Sequence, residues 1–200
     1  MTTGRTTFPG SALSQAGLDQ DGFQSKHLSI HEITTRAIIR LRRLPVREVA
    51  ARHQDRLPEL TGQCKGTDPK LLCLRPGEWL VMSIESSRDD LWRHVQDAWA
   101  DKTHIAFDES DGLAILRVDG SAAAWLIAKH CSLDTAQLNQ GEEGCAQTRL
   151  GRISVLVHYC MNGELNQYAL IVERSLVRYV WELLASGIPH AVELADRFGI

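Results

Sequence analysis

The sequence predicts an α+β fold in which antiparallel sheets are backed by helices, and three observations lead there. Short runs of aliphatic and β-branched residues recur along the chain with turn dipeptides between them. Amphipathic stretches at helical spacing follow those runs, so the order strand, strand, helix repeats. Neither G-x-G-x-x-G nor a Walker loop occurs, which removes the main signatures of a doubly wound nucleotide fold.

The first repeat opens at His27. "LSIHEI" and "TRAIIRLR" carry the alternation of strands, and Pro45 suits the first turn of a helix through "PVREVAARHQDRL". "LPELTGQCKGTDP" reads as a connection. "KLLCLRPGEWLVMSI" then reads as a hairpin turning at Arg75-Pro76-Gly77-Glu78. In "SSRDDLWRHVQDAWA", Ser86 or Ser87 suits an N-cap, two aspartates fill the first turn, and Leu91, Val95, Ala98 and Trp99 share one face. "THIAFDES" and "GLAILRVDG" are strands around an Asp111-Gly112 turn, and "SAAAWLIAKH" is a helix with Ser121 as its cap. The last repeat is "QTRLGRISVLVHYC", a turn at Asn162-Gly163, "ELNQYALIVE", and a helix from Ser175 through "LVRYVWELLAS".

Residues 1–25 are rich in Gly, Ser, Thr and Gln and read as an extended arm, which orders by lying on another surface, its own domain's or a partner's. Residues 26–187 form a single α+β domain in this reading. Residues 188–200, ending in "ELADRFGI", read as an amphipathic tail, because a helix-turn-helix would need a basic recognition helix.

Composition limits the function. The 200 residues are 44% hydrophobic and 24% charged, enough for a sizeable core. A net charge of −3 leaves no basic footprint for nucleic acid. No apolar run approaches the roughly 20 residues of a membrane span, and the N-terminus has no signal-like apolar core, so a cytoplasmic location is expected. The five cysteines are odd in number, form no C-x-x-C pair, and read as reduced thiols.

Residues 145–159, "CAQTRLGRISVLVHY", raise the sharpest question, since Cys145 could be a nucleophile with His158 as its base. With a strand over 150–159, Cys145 lies ahead of it and His158 well along it, so a local pair is disfavoured unless the chain folds back. His130 and Cys131 with Cys145 and Cys160 could donate to zinc, but their spacing matches no finger or ribbon. Trp79, Trp92, Trp99, Trp125 and Trp181 read as core or interface anchors. The expectation is therefore a chain with no catalytic, cofactor-binding or metal-binding residues of its own.

Several short motifs carry a family resemblance. They are Lys129-x-Cys131-x-Leu133-Asp134, then Gly144-Cys145-Ala146-Gln147-Thr148-x-Leu150, then Arg174-Ser175 opening a helix with Tyr179, Val180 and Trp181. Upstream are "RPGEWLVM" and "GSAL", so the motifs reach over most of residues 10–187. In these the chain resembles the gamma-subunit family of heterotetrameric sarcosine oxidase, itself related to the folate-binding domain of glycine-cleavage T-protein. After Asp134 the family continues with a Leu-His-Pro-like stretch, where this chain has Thr135, Ala136 and Leu138.

The resemblance implies an accessory subunit that works with alpha, beta and delta partners. Together they demethylate sarcosine oxidatively to glycine and pass the one-carbon unit to tetrahydrofolate. FAD, FMN, NAD, zinc and tetrahydrofolate are implied for the other subunits, and none for this chain. Three alternatives stay open: a gamma-like subunit of a related N-methyl amino acid oxidase or dehydrogenase, a stand-alone folate-binding protein, and a thiol enzyme built on Cys145.

Overall fold

A computed structural model describes residues 11–18, 22–34, 37–44, 57–99, 104–134, 143–162 and 165–199. Its strands are β1 (Phe23–Gln24), β2 (Ser29–Ile33), β3 (Ala37–Arg43), β4 (Cys64–Lys65), β5 (Lys70–Arg75), β6 (Glu78–Ser83), β7 (His104–Asp108), β8 (Leu113–Asp119), β9 (Gly144–Leu150), β10 (Ile153–Asn162) and β11 (Leu165–Glu173). Its helices are α1 (Ala12–Gln15), α2 (Arg88–Trp99), α3 (Ala123–His130) and α4 (Val177–Phe198). The helix expected from Pro45 lies outside the described residues.

The α+β reading holds, and every strand pairing is antiparallel. The strands form a six-stranded sheet ordered β1-β2-β8-β11-β10-β9 and a five-stranded sheet ordered β4-β5-β6-β3-β7. The two pack face to face. Ile38, Leu72, Leu74, Leu80 and Met82 of the smaller sheet meet Ile115, Cys145, Leu156, Ala169 and Ile171 of the larger in one buried cluster. Helices cover the outer faces: Leu126, Ile127, Val180 and Leu184 of α3 and α4 lie on the six-stranded sheet, and Leu91, Val95 and Trp99 of α2 on the five-stranded one. Burial on both faces is why β6, "EWLVMS", is buried at every position and shows no polar alternation.

The local repeat therefore hides a switch of sheets. β2 belongs to the larger sheet and β3 to the smaller, and the chain returns to the larger between β7 and β8. The Asp111-Gly112 turn thus joins two layers and not two paired strands. Within the connection before β5, Cys64 and Lys65 add the short strand β4.

Capping separates two serines that look alike in sequence. Ser87 Oγ accepts from the Asp90 amide at 3.2 Å and caps α2 as expected. Ser121 does not cap α3, because Ala122 holds that position without a side-chain bond. Ser121 Oγ instead lies 3.2 Å from His27 Nδ1, and His27 Nε2 lies 3.0 Å from Asp196, so the histidine ties the approach to β2 to the start of α3 and to the far end of α4. Gly120 permits this approach. Its φ is +117°, and a Cβ there would sit 2.3 Å from the His27 carbonyl oxygen. Gly120→Ala is expected to lower the unfolding free energy by about 2 kcal/mol, read from the urea midpoint at unchanged m-value.

Both chain ends correct the expectation of an arm and a tail. Among residues 1–25, Ala12 and Leu13 are buried in the main core and Phe23–Gln24 pair with β2, so the described part of this segment belongs to the chain's own domain. The buried Glu32 carboxylate anchors it, accepting from Ser11 Oγ at 2.5 Å and from the Ala12 and Leu13 amides at 2.9 and 3.0 Å. At the other end α4 runs through Pro189 to Phe198, with Ala191 and Ala195 buried, so residues 188–198 continue the helix.

Candidate functional site

The chain does fold back at the Cys145–His158 stretch. Residues 144–150 form a strand of their own, β9, and Gly151 and Arg152 turn it into β10. Cys145 and His158 are then direct register partners on adjacent strands. Partners opposite each other in an antiparallel pair project to the same face, here the face between the sheets. The separation expected with a strand over 150–159 is therefore overturned, because Gly144–Leu150 is a separate edge strand that pairs back on β10.

Proximity has not made a catalytic dyad. His158 is buried, and its Nε2 lies 2.7 Å from Glu143 Oε1. Glu143 in turn is 2.7 Å from Lys70 Nζ, so the imidazole belongs to a histidine–carboxylate–lysine chain across the sheet edge. The Cys145 thiol, 4% exposed, donates to the Cys73 carbonyl oxygen at 3.7 Å and lies beside Cys64 in the cluster between the sheets. A nucleophile needs its base within hydrogen-bond reach and an orienting group behind that base. Here the carboxylate that would orient His158 is bonded to its Nε2, and the thiol's own contacts are with Cys64 and Cys73.

Electrostatics support this division. Burial disfavours the charged form of His158 more than Glu143 favours it, so its pKa lies below the ordinary value. For Glu143, burial raises the pKa, but hydrogen bonds from Lys70 and His158 outweigh it and hold the carboxyl below the usual range. Both shifts act in one direction on stability. The unfolded chain binds protons at higher pH than the folded chain does, so stability is full above the unfolded pKa and falls as pH drops through the folded one. His130, lowered by burial and Lys129, adds to this on the same side. Burial raises Asp119, which opposes the trend above pH 3.8.

The expected result is a melting temperature that falls from about pH 6.5 downward and falls again below about pH 4.5, where Glu143 and Glu78 protonate. Glu78 shares the second window because Arg40 and Arg75 overcome its burial and lower its pKa. His158→Gln should reduce the upper segment to the part left by His130 and weaken Glu143's share of the lower one, measured by thermal scans across pH.

The zinc donors weighed from the sequence are divided by the sheet. Cys131 lies on the helix-facing side, 3.5 Å from Thr148 Oγ1, whereas Cys145 lies between the sheets. Among the described residues no group of three or more His, Cys, Asp or Glu is placed to hold a metal ion. Trp79 and Trp99 are core residues, with Trp79 Nε1 donating to the Pro58 carbonyl at 2.7 Å, while Trp92, Trp125 and Trp181 are half-buried at its margin.

The motif residues Gln147 and Thr148 line a cleft of about 400 Å³ that opens between the sheets. Its floor is Leu74, Leu80, Leu156 and Ile171, and Arg40 and Glu173 stand at its rim. Gln147 Nε2 donates to the Leu74 carbonyl at 2.9 Å and so ties β9 to β5 across the two sheets. Arg40 is already held by Glu78 at 2.7 Å and Glu109 at 2.6 Å. The cleft thus has an aliphatic side, a polar lining that includes Arg149 and Ser154, and one arginine, Arg40, neutralised by internal carboxylates.

Two antiparallel sheets stacked face to face and clad by helices give the chain an α+β fold similar to that of two solved proteins. The crystal structure of glycine cleavage system aminomethyltransferase T from Bartonella henselae aligns with a TM-score of 0.56 at 11% identity, over 79% of this chain and 45% of that one. A chain of the heterotetrameric sarcosine oxidase from Corynebacterium sp. U-96, solved in complex with pyrrole 2-carboxylate, aligns with a TM-score of 0.75 at 20% identity, over 92% of this chain and 97% of that one. No protein-family model and no curated protein matches the sequence. No helix among the described residues is long and apolar enough to cross a membrane.

Proposed function

We propose that this chain is the accessory, gamma-type subunit of a heterotetrameric amine oxidase of the sarcosine oxidase kind. It organises a flavoenzyme whose chemistry is carried by the alpha, beta and delta partners. One observation carries the reading: the chain matches nearly the whole length of a single chain of such a tetramer and less than half of the stand-alone aminomethyltransferase. The bond between His158 Nε2 and Glu143 supports it further, since the histidine that would serve Cys145 as a base is held by a carboxylate instead.

In this role FAD, FMN, NAD and zinc sit in the partner chains, and the one-carbon unit from an N-methyl amino acid is handed to tetrahydrofolate within the assembly. Co-expression tests the partnership. Affinity-tagged chain should recover larger flavin-containing chains in equimolar amount, yielding a yellow complex. Recovery of the chain alone, with tetrahydrofolate binding to it at one equivalent, would instead support a free-standing folate-binding protein.

A further inference from the structure

Five cysteines are described, and four of them sort by face. Cys73 sits with Leu91 and Trp99 on the α2 side of the small sheet, and Cys131 faces the helices of the large one. Cys160 lies two residues beyond His158 and has its thiol on Gln167 Oε1 at 3.6 Å. Cys145 lies between the sheets, and the remaining thiol, Cys64, packs against the same cluster. The backbone brings these last two together. Gln63 and Gly144 form an antiparallel bridge outside the main ladders, and the Cys145 amide donates to the Gly62 carbonyl at 2.8 Å. Cys64 on β4 and Cys145 on β9 thus stand diagonally across a point where the edge strands of the two sheets join, and both pack into the cluster between the sheets.

We propose that Cys64 and Cys145 are a redox-active dithiol that closes to a disulfide with a hydroperoxide as oxidant, stitching the two sheets together at their edges. The Cys145 sulfur attacks the distal peroxide oxygen, breaking the O–O bond, to give Cys145 sulfenic acid and water or an alcohol. The Cys64 sulfur then attacks the sulfenic sulfur and expels the hydroxyl, which leaves as water with the Cys64 proton. Two thiols are oxidised by two electrons and one hydroperoxide is reduced.

The local chemistry fits these roles. The neighbouring Cys64 thiol pushes the Cys145 pKa down against its burial, while Cys145 and burial push that of Cys64 up. Cys64 is only half-buried, so a small oxidant reaches the pair from its side, while Cys145, Cys131 and Cys73 are buried. Closing the loop from residue 64 to residue 145 restricts the unfolded chain, and the melting temperature is expected to rise by about 5–10 °C.

The test uses the full chain with one to a few equivalents of hydrogen peroxide. Expected are the loss of two titratable thiols, a Cys64–Cys145 cross-linked peptide on non-reducing digestion, and reversal by dithiothreitol with return of the original melting temperature. Cys64→Ser should stop at the first step and accumulate a dimedone-reactive sulfenic acid at Cys145, which keeps the proposal testable if Cys145→Ser misfolds. All five thiols remaining titratable, a cross-link to Cys73 or Cys160 instead, or oxidation in Cys64→Ser falling mainly on another cysteine would each overturn it.

Discussion

Glu32→Ala is expected to lower the unfolding free energy by about 3 kcal/mol and to loosen the first described segment from the domain. Its carboxylate is the acceptor for one hydroxyl and two amides at the start of α1, all of them buried. Removing it leaves those donors unpaired, at about 1–3 kcal/mol for each that cannot reach water. The segment avoids that cost by detaching, but then Leu13, wholly buried, is exposed and its burial is lost, at about 1.5–3 kcal/mol. Leu13→Ala should cost about 3 kcal/mol by the same core contacts.

Because both routes end in a detached segment, the double variant should lose less than the sum of the two singles. Proteolysis should cut near residues 16–22 in either variant before it cuts the wild type. Deleting residues 11–24 is expected to do more, uncovering the face of the large sheet and compromising folding itself. A deletion that folds with the wild-type melting temperature, or additive losses in the double variant, would show that these residues are an appendage after all.

The same segment shows where sequence reasoning reached and where it stopped. Its small polar residues do read as an arm, since the anchoring carboxylate lies 20 residues away in sequence from Ala12 and in a strand whose alternation would mark Glu32 as an anomaly. A glutamate in the buried phase of "SIHEI" was a usable signal: a charge in that phase needs donors, and unsatisfied donors cluster at helix starts. Features set by neighbours in sequence were legible. The hairpin at Pro76-Gly77, the Ser87 cap and the buried face of α2 follow from turn chemistry and spacing alone.

Features decided by distant partners were not. Ser121 has the sequence position of a cap, but His27, 94 residues away, takes its hydroxyl. Strand β9 carries Gln, Thr and Arg because it closes the edge of the large sheet, so polarity there means an edge and not a loop. The register of Cys145 with His158 follows from that edge pairing, which local spacing does not mark. Pro189 similarly suggests an end where α4 continues, since a proline disturbs only the turn before it and Ala191 and Ala195 are held by core packing.

The largest functional effect expected is all-or-none, and it tests the central claim that this chain organises chemistry it does not perform. Under the proposed accessory role, turnover depends on partner chains, and this chain changes assembly and stability of the complex more than its intrinsic chemistry. Cys145→Ser within the assembled oxidase should leave turnover within a few-fold of wild type, because a residue outside the reacting centre contributes through packing.

The most direct measurement is sarcosine-dependent peroxide production, recorded together with flavin absorbance between the near ultraviolet and the blue, for the purified chain alone and after reconstitution with its flavin-bearing partners. The account predicts a colourless, inactive chain alone and a yellow, active complex only on reconstitution. Stoichiometric flavin on the isolated chain, or sarcosine oxidation without partners, would contradict it.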